Sequence, residues 1–154
     1  MLRVVLGPAT TVALALVLGA GGLPTPPASA HQAEPDPTTG LAVHPEWGSI
    51  AGHSGRLKRG CRQYAFSYAI TPPDGVWALE VFIVAPGDKH IAAGAFLDGY
   101  DPDSGTGHYK LCKATTRHGQ FRIEAKLSTD DGSGTITEGQ LPPDTYRLHK
   151  LRRH

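Results

Sequence analysis

Three aspartates stand close together in the stretch DGYDPDSGTG: Asp98, Asp101 and Asp103, with Ser104 beside them. Hard oxygen donors on a Gly-rich loop are the chemistry of Ca²⁺ binding. The spacing is not that of an EF-hand loop, because the Gly and the closing Glu fall at the wrong positions. Asp130 and Asp131, in a later turn, would add ligands if the two loops meet. Asp and Gly are also ordinary turn residues. The expectation is therefore structural turns, with a weak Ca²⁺ site of ~mM affinity at Asp98, Asp101 and Asp103 as the alternative. No other cofactor is expected.

The remaining reactive side chains fall into no catalytic pattern. The chain has eight histidines, but none forms an HExxH motif, and spacings such as that of His108 and His118 match no zinc motif. GHSG (Gly52–Gly55) and DGSG (Asp131–Gly134) lack the G-x-S-x-G spacing of a nucleophile elbow. Glu80 interrupts an apolar run. Were it buried, its pKa would rise and it would be a candidate acid; the plainer expectation is a partly exposed place on a sheet face. No catalytic residue is assigned, and the protein is expected not to be an enzyme.

Two basic clusters offer a different chemistry. Arg56, Lys58, Arg59 and Arg62 surround Cys61, and Arg147, Lys150, Arg152 and Arg153 close the chain. Gathered on one side, they would contact an anionic wall polymer or lipid headgroups. As a solvated edge they would only discourage unwanted strand pairing. The candidate anion-binding residues are Arg56, Lys58, Arg59, Arg62, Arg152 and Arg153.

The elements that position these residues begin with a targeting segment. Residues 1–30 carry Arg3 as their only charge, an apolar run TVALALVL (Thr11–Leu18), helix breakers, and the triplet Ala28-Ser29-Ala30. This is a secretory signal with cleavage between Ala30 and His31. Its apolar core is shorter than the roughly 20 residues needed to span a bilayer, and no anchor is expected after cleavage. The formal net charge is +1, and removal of Arg3 leaves a neutral chain with no global attraction to nucleic acid. Export carries Cys61 and Cys112 to an oxidising compartment, where one intramolecular disulfide is expected. Two free thiols or an intermolecular bridge are the alternatives. The sequence expectation for localisation is secreted, extracellular.

Residues 31–46 are polar and Pro-rich at their start and read as a disordered linker. The folded domain is placed at 47–154. Tyr64, Phe66, Tyr68 and Ile70 alternate with small residues, as in a half-buried strand. Val76–Ala85 is apolar on nearly both faces and reads as a central strand, with Trp77, Leu79, Val81 and Ile83 on one side. His90–Leu97 is weaker and reads as an edge. Asp98–Gly107 reads as a loop. Phe121, Ile123, Ala125 and Leu127 alternate with polar residues, one face in and one in water. A last strand follows Pro142-Pro143-Asp144. No stretch sustains helical periodicity. The fold class is all-β: an antiparallel sandwich of about seven short strands with one disulfide.

Cys61, Trp77, Tyr109, Cys112 and the closing LPPDTYRL (Leu141–Leu148) carry a likeness. From about Trp47 onward the chain resembles an immunoglobulin-like or fibronectin-III-like secreted bacterial β-sandwich. It departs from the immunoglobulin pattern in two ways. Tyr109 lies three residues before the second Cys rather than two, and both cysteines are out of phase with the apolar residues of their strands. Successive side chains point to opposite faces, so the bridge is expected at the strand ends, clamping a sheet margin rather than pinning the core. Loops on a rigid scaffold commonly carry binding. The expected function is a secreted, non-catalytic binding module, with an anionic cell-wall polymer or a protein as partner. An inhibitor of an extracellular protease, presenting Asp98–Gly107 as its rigid loop, is the alternative.

Overall fold

The computed structural model describes residues 37–150. The expected signal segment, its cleavage point at Ala30 and His31, and the terminal Arg152 and Arg153 lie outside these residues. A single 3₁₀ turn, Pro45–Trp47, precedes nine strands: β1 (Gly48–Gly52), β2 (Gly55–Arg56), β3 (Cys61–Ile70), β4 (Val76–Ala85), β5 (Lys89–Leu97), β6 (Ser104–Cys112), β7 (Gly119–Asp130), β8 (Ile136–Gln140) and β9 (Asp144–His149). They form two sheets. The smaller has the order β1-β3-β6; the larger has the order β2-β9-β7-β4-β5, with β8 also on β7. All pairings between strands are antiparallel except β2 with β9.

The excess of strands over the expected seven has a covalent cause. β8 pairs with residues 126–130 of β7, and β9 pairs with residues 119–123 on the same edge. They are two halves of one edge partner, split by Pro142-Pro143, which cannot donate to the ladder. The other addition, β2, is two residues long and pairs Gly55 and Arg56 with Leu148 and His149.

The core follows the period-two pattern. Phe66, Tyr68 and Ile70 of β3 and Tyr109 and Leu111 of β6 face Trp77, Leu79, Val81 and Ile83 of β4 and Phe121, Ile123, Ala125 and Leu127 of β7, and all are buried. Each large apolar side chain so enclosed contributes about 1.5–3 kcal/mol. A hydroxyl pair joins the sheets: Tyr109 Oη donates to Tyr146 Oη at 2.7 Å in a buried position. Burial pushes the Tyr109 phenol up to about 12.

Three expectations change. The stretch Asp98–Gly107 is a loop only as far as Asp103, because β6 begins at Ser104. The polar side of β7 is not uniformly in water: Glu124 is only 3% exposed and accepts a hydrogen bond from Thr38 Oγ1 at 3.2 Å. The linker expected over 31–46 is therefore corrected over its described part. Residues 37–46 lie against the larger sheet, where Val43 bridges Gln140, the Gln140 N–H donates to Ala42, and the His44 N–H donates to the Gln140 carbonyl. The cause is the free edge of β8, whose backbone groups need partners. No helix among the described residues is long and apolar enough to cross a membrane.

Candidate functional site

The cysteines set the geometry of one end of the sandwich. Cys61 and Cys112 are bonded and stand opposite each other at the last rung of the β3–β6 pair. The Lys113 N–H donates to the Gly60 carbonyl, so the next rung is a hydrogen-bonded one. Cys61 and Cys112 thus occupy the non-hydrogen-bonded rung, where opposing side chains stand closer. Cys61 is exposed and lies out of phase with the buried Phe66, Tyr68 and Ile70 of its strand. The bridge lies within one sheet, on its outer face and at the strand ends, as the parity of the sequence implied.

Around this rung the first basic cluster is held on fixed backbone. Leu57 is a buried plug, and its N–H donates to the His149 carbonyl. The Lys58 N–H donates to Tyr64 Oη at 2.9 Å, and Arg62 Nε donates to the Arg59 carbonyl. Arg56, Lys58, Arg59 and Arg62 are all exposed. The parallel β2–β9 pair sets Arg56 opposite His149, which brings Arg147, His149 and Lys150 of the last strand to the same end. Lys110, Lys113 and Arg117, which the sequence reading passed over, join them through β6 and the turn that follows. Among the described residues, no carboxylate forms an ion pair with any of these cations.

The charges of the described domain are sorted along the strands. Every described Lys and Arg except Lys126 falls in the half that ends at the Cys61–Cys112 rung. The carboxylates collect in the other half, with three exceptions, each already engaged. Asp88 and Glu124 bind Arg122, and Asp144 accepts the Gly52 N–H at 2.9 Å. The hydrogen bonds that Arg122 donates to Glu124 and Asp88 raise its guanidinium further above its usual range. The domain thus has a basic pole at the disulfide and an acidic pole at the opposite end.

The acidic loop is expected from its sequence to form turns, with a weak Ca²⁺ site as the alternative. No three His, Cys, Asp or Glu side chains among the described residues group as metal ligands do. Asp101 Oδ2 instead accepts the Leu97 N–H at 2.9 Å, and the Asp103 carbonyl accepts the Ile70 N–H. Asp131 is likewise spent within its own hairpin, accepting from Ser133 and Thr135, and these bonds hold its carboxyl below the usual range. Asp98, Asp101 and Asp103 stand in the turn between β5 and β6.

Glu80 takes the partly exposed place on a sheet face that the sequence suggested. Glu80 has a side chain 42% exposed and pairs with Lys126 Nζ at 2.6 Å, while Lys126 also reaches Glu138 at 3.3 Å. The bond to Glu80 raises the Lys126 ammonium above its ordinary value. Ser54 Oγ accepts the Arg147 N–H, and Ser133 serves the Asp131 hairpin.

Sequence reasoning missed an apolar surface at the acidic pole. Val76 is 65%, Ile136 64%, Leu97 47% and Tyr100 88% exposed, and all four line one shallow groove of about 320 Å³ on the outer face of the larger sheet. A signal existed: Val76 is out of phase with Trp77, Leu79, Val81 and Ile83. No protein-family model, curated protein or solved structure matches this chain significantly.

Proposed function

We propose that the protein is a secreted, non-catalytic binding module of the immunoglobulin or fibronectin-III type that holds an anionic cell-wall polymer at its basic pole. The sandwich type is supported by strand order. Sheets β1-β3-β6 and β2-β9-β7-β4-β5 follow the arrangement A-B-E and A′-G-F-C-C′, with the buried Trp77 on the strand in the C position. The intra-sheet disulfide sets the chain apart from antibody domains, whose bridge joins the two sheets. The one observation that carries the binding reading is the set of exposed cations without carboxylate partners around the Cys61–Cys112 rung. Cations held apart from carboxylates on anchored backbone keep their attraction for an external polyanion.

The test is retention on cell-wall material across a salt series. Each cation at an anionic surface is worth roughly fivefold in affinity, so the triple variant R56E/R59E/R62E, which removes three cations and adds three carboxylates, is expected to bind at least on the order of 100-fold less at low salt. Retention of the parent protein is expected to vanish toward 1 M salt, where the screening length falls to about 3 Å. Retention that ignores both salt and charge reversal overturns the reading.

A further inference from the structure

The acidic pole carries a surface that the anion-binding reading does not use. Val76, Leu97, Tyr100 and Ile136 account for all but one of the exposed large hydrophobics among the described residues, the other being Val43. They are brought together by register. Ile136 stands opposite Asp130, and Asp130 opposite Val76, while Leu97 stands opposite Ala78 two rungs below, on the same face. The patch therefore crosses β8, β7, β4 and β5. Three inter-strand spacings make it about 14 Å wide, the width of a polypeptide segment rather than of one small group. An apolar patch of this kind with a polar rim marks an interaction site.

Its most exposed member is held in place. Both the Tyr100 and the Asp101 N–H donate to the Leu97 carbonyl, and Asp101 Oδ2 takes the Leu97 N–H. The phenol is thus presented on a closed turn, which reduces the ordering cost of a contact. Exposed aromatics on fixed backbone are the usual anchors of an interface.

The rim decides the occupant. Asp98 and Asp130 line the groove itself, and Asp74, Asp101, Asp103 and Asp131 stand in the three turns around it. Among the described residues the one cation nearby, Lys126, is bound between Glu80 and Glu138, so that group is also net negative. The basic pole of a second copy would match this charge, but among the described residues it offers no exposed large hydrophobic to enter the groove.

We infer that this face docks a cationic polypeptide segment whose apolar or aromatic side chain, flanked by Lys or Arg, enters the groove beside Tyr100. The two poles then have opposite tasks: the basic one meets a polyanion, the acidic one a basic protein. This surface shares no residue with the anion-binding pole, so either can fail without the other.

The test is selection from a displayed library of random peptides on the purified protein, with the variant Y100S/I136S as counter-target. Both positions are exposed, and retention of the β circular-dichroism signal verifies that the variant is folded. Enriched peptides are expected to carry net positive charge around an apolar anchor and to bind the variant at least about tenfold more weakly. A second variant, D98N/D130N, is expected to weaken the same peptides and to reduce the salt dependence of their binding. Enrichment of neutral or acidic peptides, equal binding to parent and Y100S/I136S, or no enrichment overturns the inference. Salt-sensitive self-association in sedimentation that Y100S/I136S abolishes overturns it as well, in favour of a second copy.

Discussion

Replacing both cysteines by alanine tests what the disulfide does. The bridge closes a loop with a sequence separation of 51 residues. In the chain-entropy model a loop of that span restricts the unfolded ensemble by roughly 4 kcal/mol at 25 °C. The folded state loses little, because Cys61 is exposed and the strands β3 and β6 remain paired from Cys61–Cys112 through Ala69–Ser104. For a domain of this size 1 kcal/mol moves the midpoint by about 3–5 °C, so C61A/C112A is expected to melt roughly 12–20 °C below the parent. Differential scanning calorimetry reads the shift, and circular dichroism at 25 °C is expected to show unchanged strand content. Treatment of the parent with a reductant should reproduce the variant. A midpoint within about 3 °C of the parent would refute the reasoning, since the constraint would then not act on the unfolded chain. Loss of strand signal at 25 °C would refute the peripheral placement of the bridge.

Other consequences follow from the core and the edge. Tyr146→Phe removes the acceptor of the buried Tyr109 hydroxyl and is expected to cost about 1–3 kcal/mol in denaturant unfolding. Burial pushes the Tyr109 phenol up to about 12 in the folded protein against about 10 when unfolded. The folded state therefore holds its proton longer, and stability is expected to be level below pH ~10 and to fall as pH rises toward 12, by up to ~1.4 kcal/mol per unit for each such tyrosine. A flat stability profile across that window would contradict the burial of this pair. Gly139 packs its bare Cα against the Trp47 and His44 rings, which an added Cβ would strike. G139A is expected to lift the Ala42–Trp47 segment from β8 at a cost of about 1–3 kcal/mol, read as a red shift of Trp47 fluorescence in a Trp77→Phe background. At the basic pole, charge reversal at Arg56, Arg59 and Arg62 should abolish salt-sensitive retention while leaving the melting temperature within a few degrees, as for other exposed sites.

The alternation of apolar and small or polar residues determined most of the scaffold. A strand has a side-chain period of two, so Phe121, Ile123, Ala125 and Leu127 had to share a face, and Tyr64 to Ile70 likewise. The same parity put Cys61 and Cys112 off the core, and the pairing register agrees. Strand identity is a local property, and local chemistry suffices to read it. The bounds of the Asp98–Asp103 turn and the splitting of the β7 partner at Pro142-Pro143 were less legible, because Gly-rich residues such as Ser104–Gly107 carry little pattern until a partner strand pairs with them.

The charged clusters were legible in the sequence, but their gathering into two opposite poles was not. Arg56 and Arg147, or Asp98 and Asp130, are far apart in the chain, and only the sheet order and register bring each pair to one end. Val76 and Ile136 read as ordinary strand residues until their outward phase and common row are known. Residues 37–46 looked too polar to fold, and by themselves they bury little; the free edge of β8 gives their backbone groups partners. Periodicity assigns a residue to a face, whereas the gathering of charge at one end of a sandwich depends on which strands become neighbours. That is a long-range outcome of packing the two apolar faces together, and only the tertiary structure decides it.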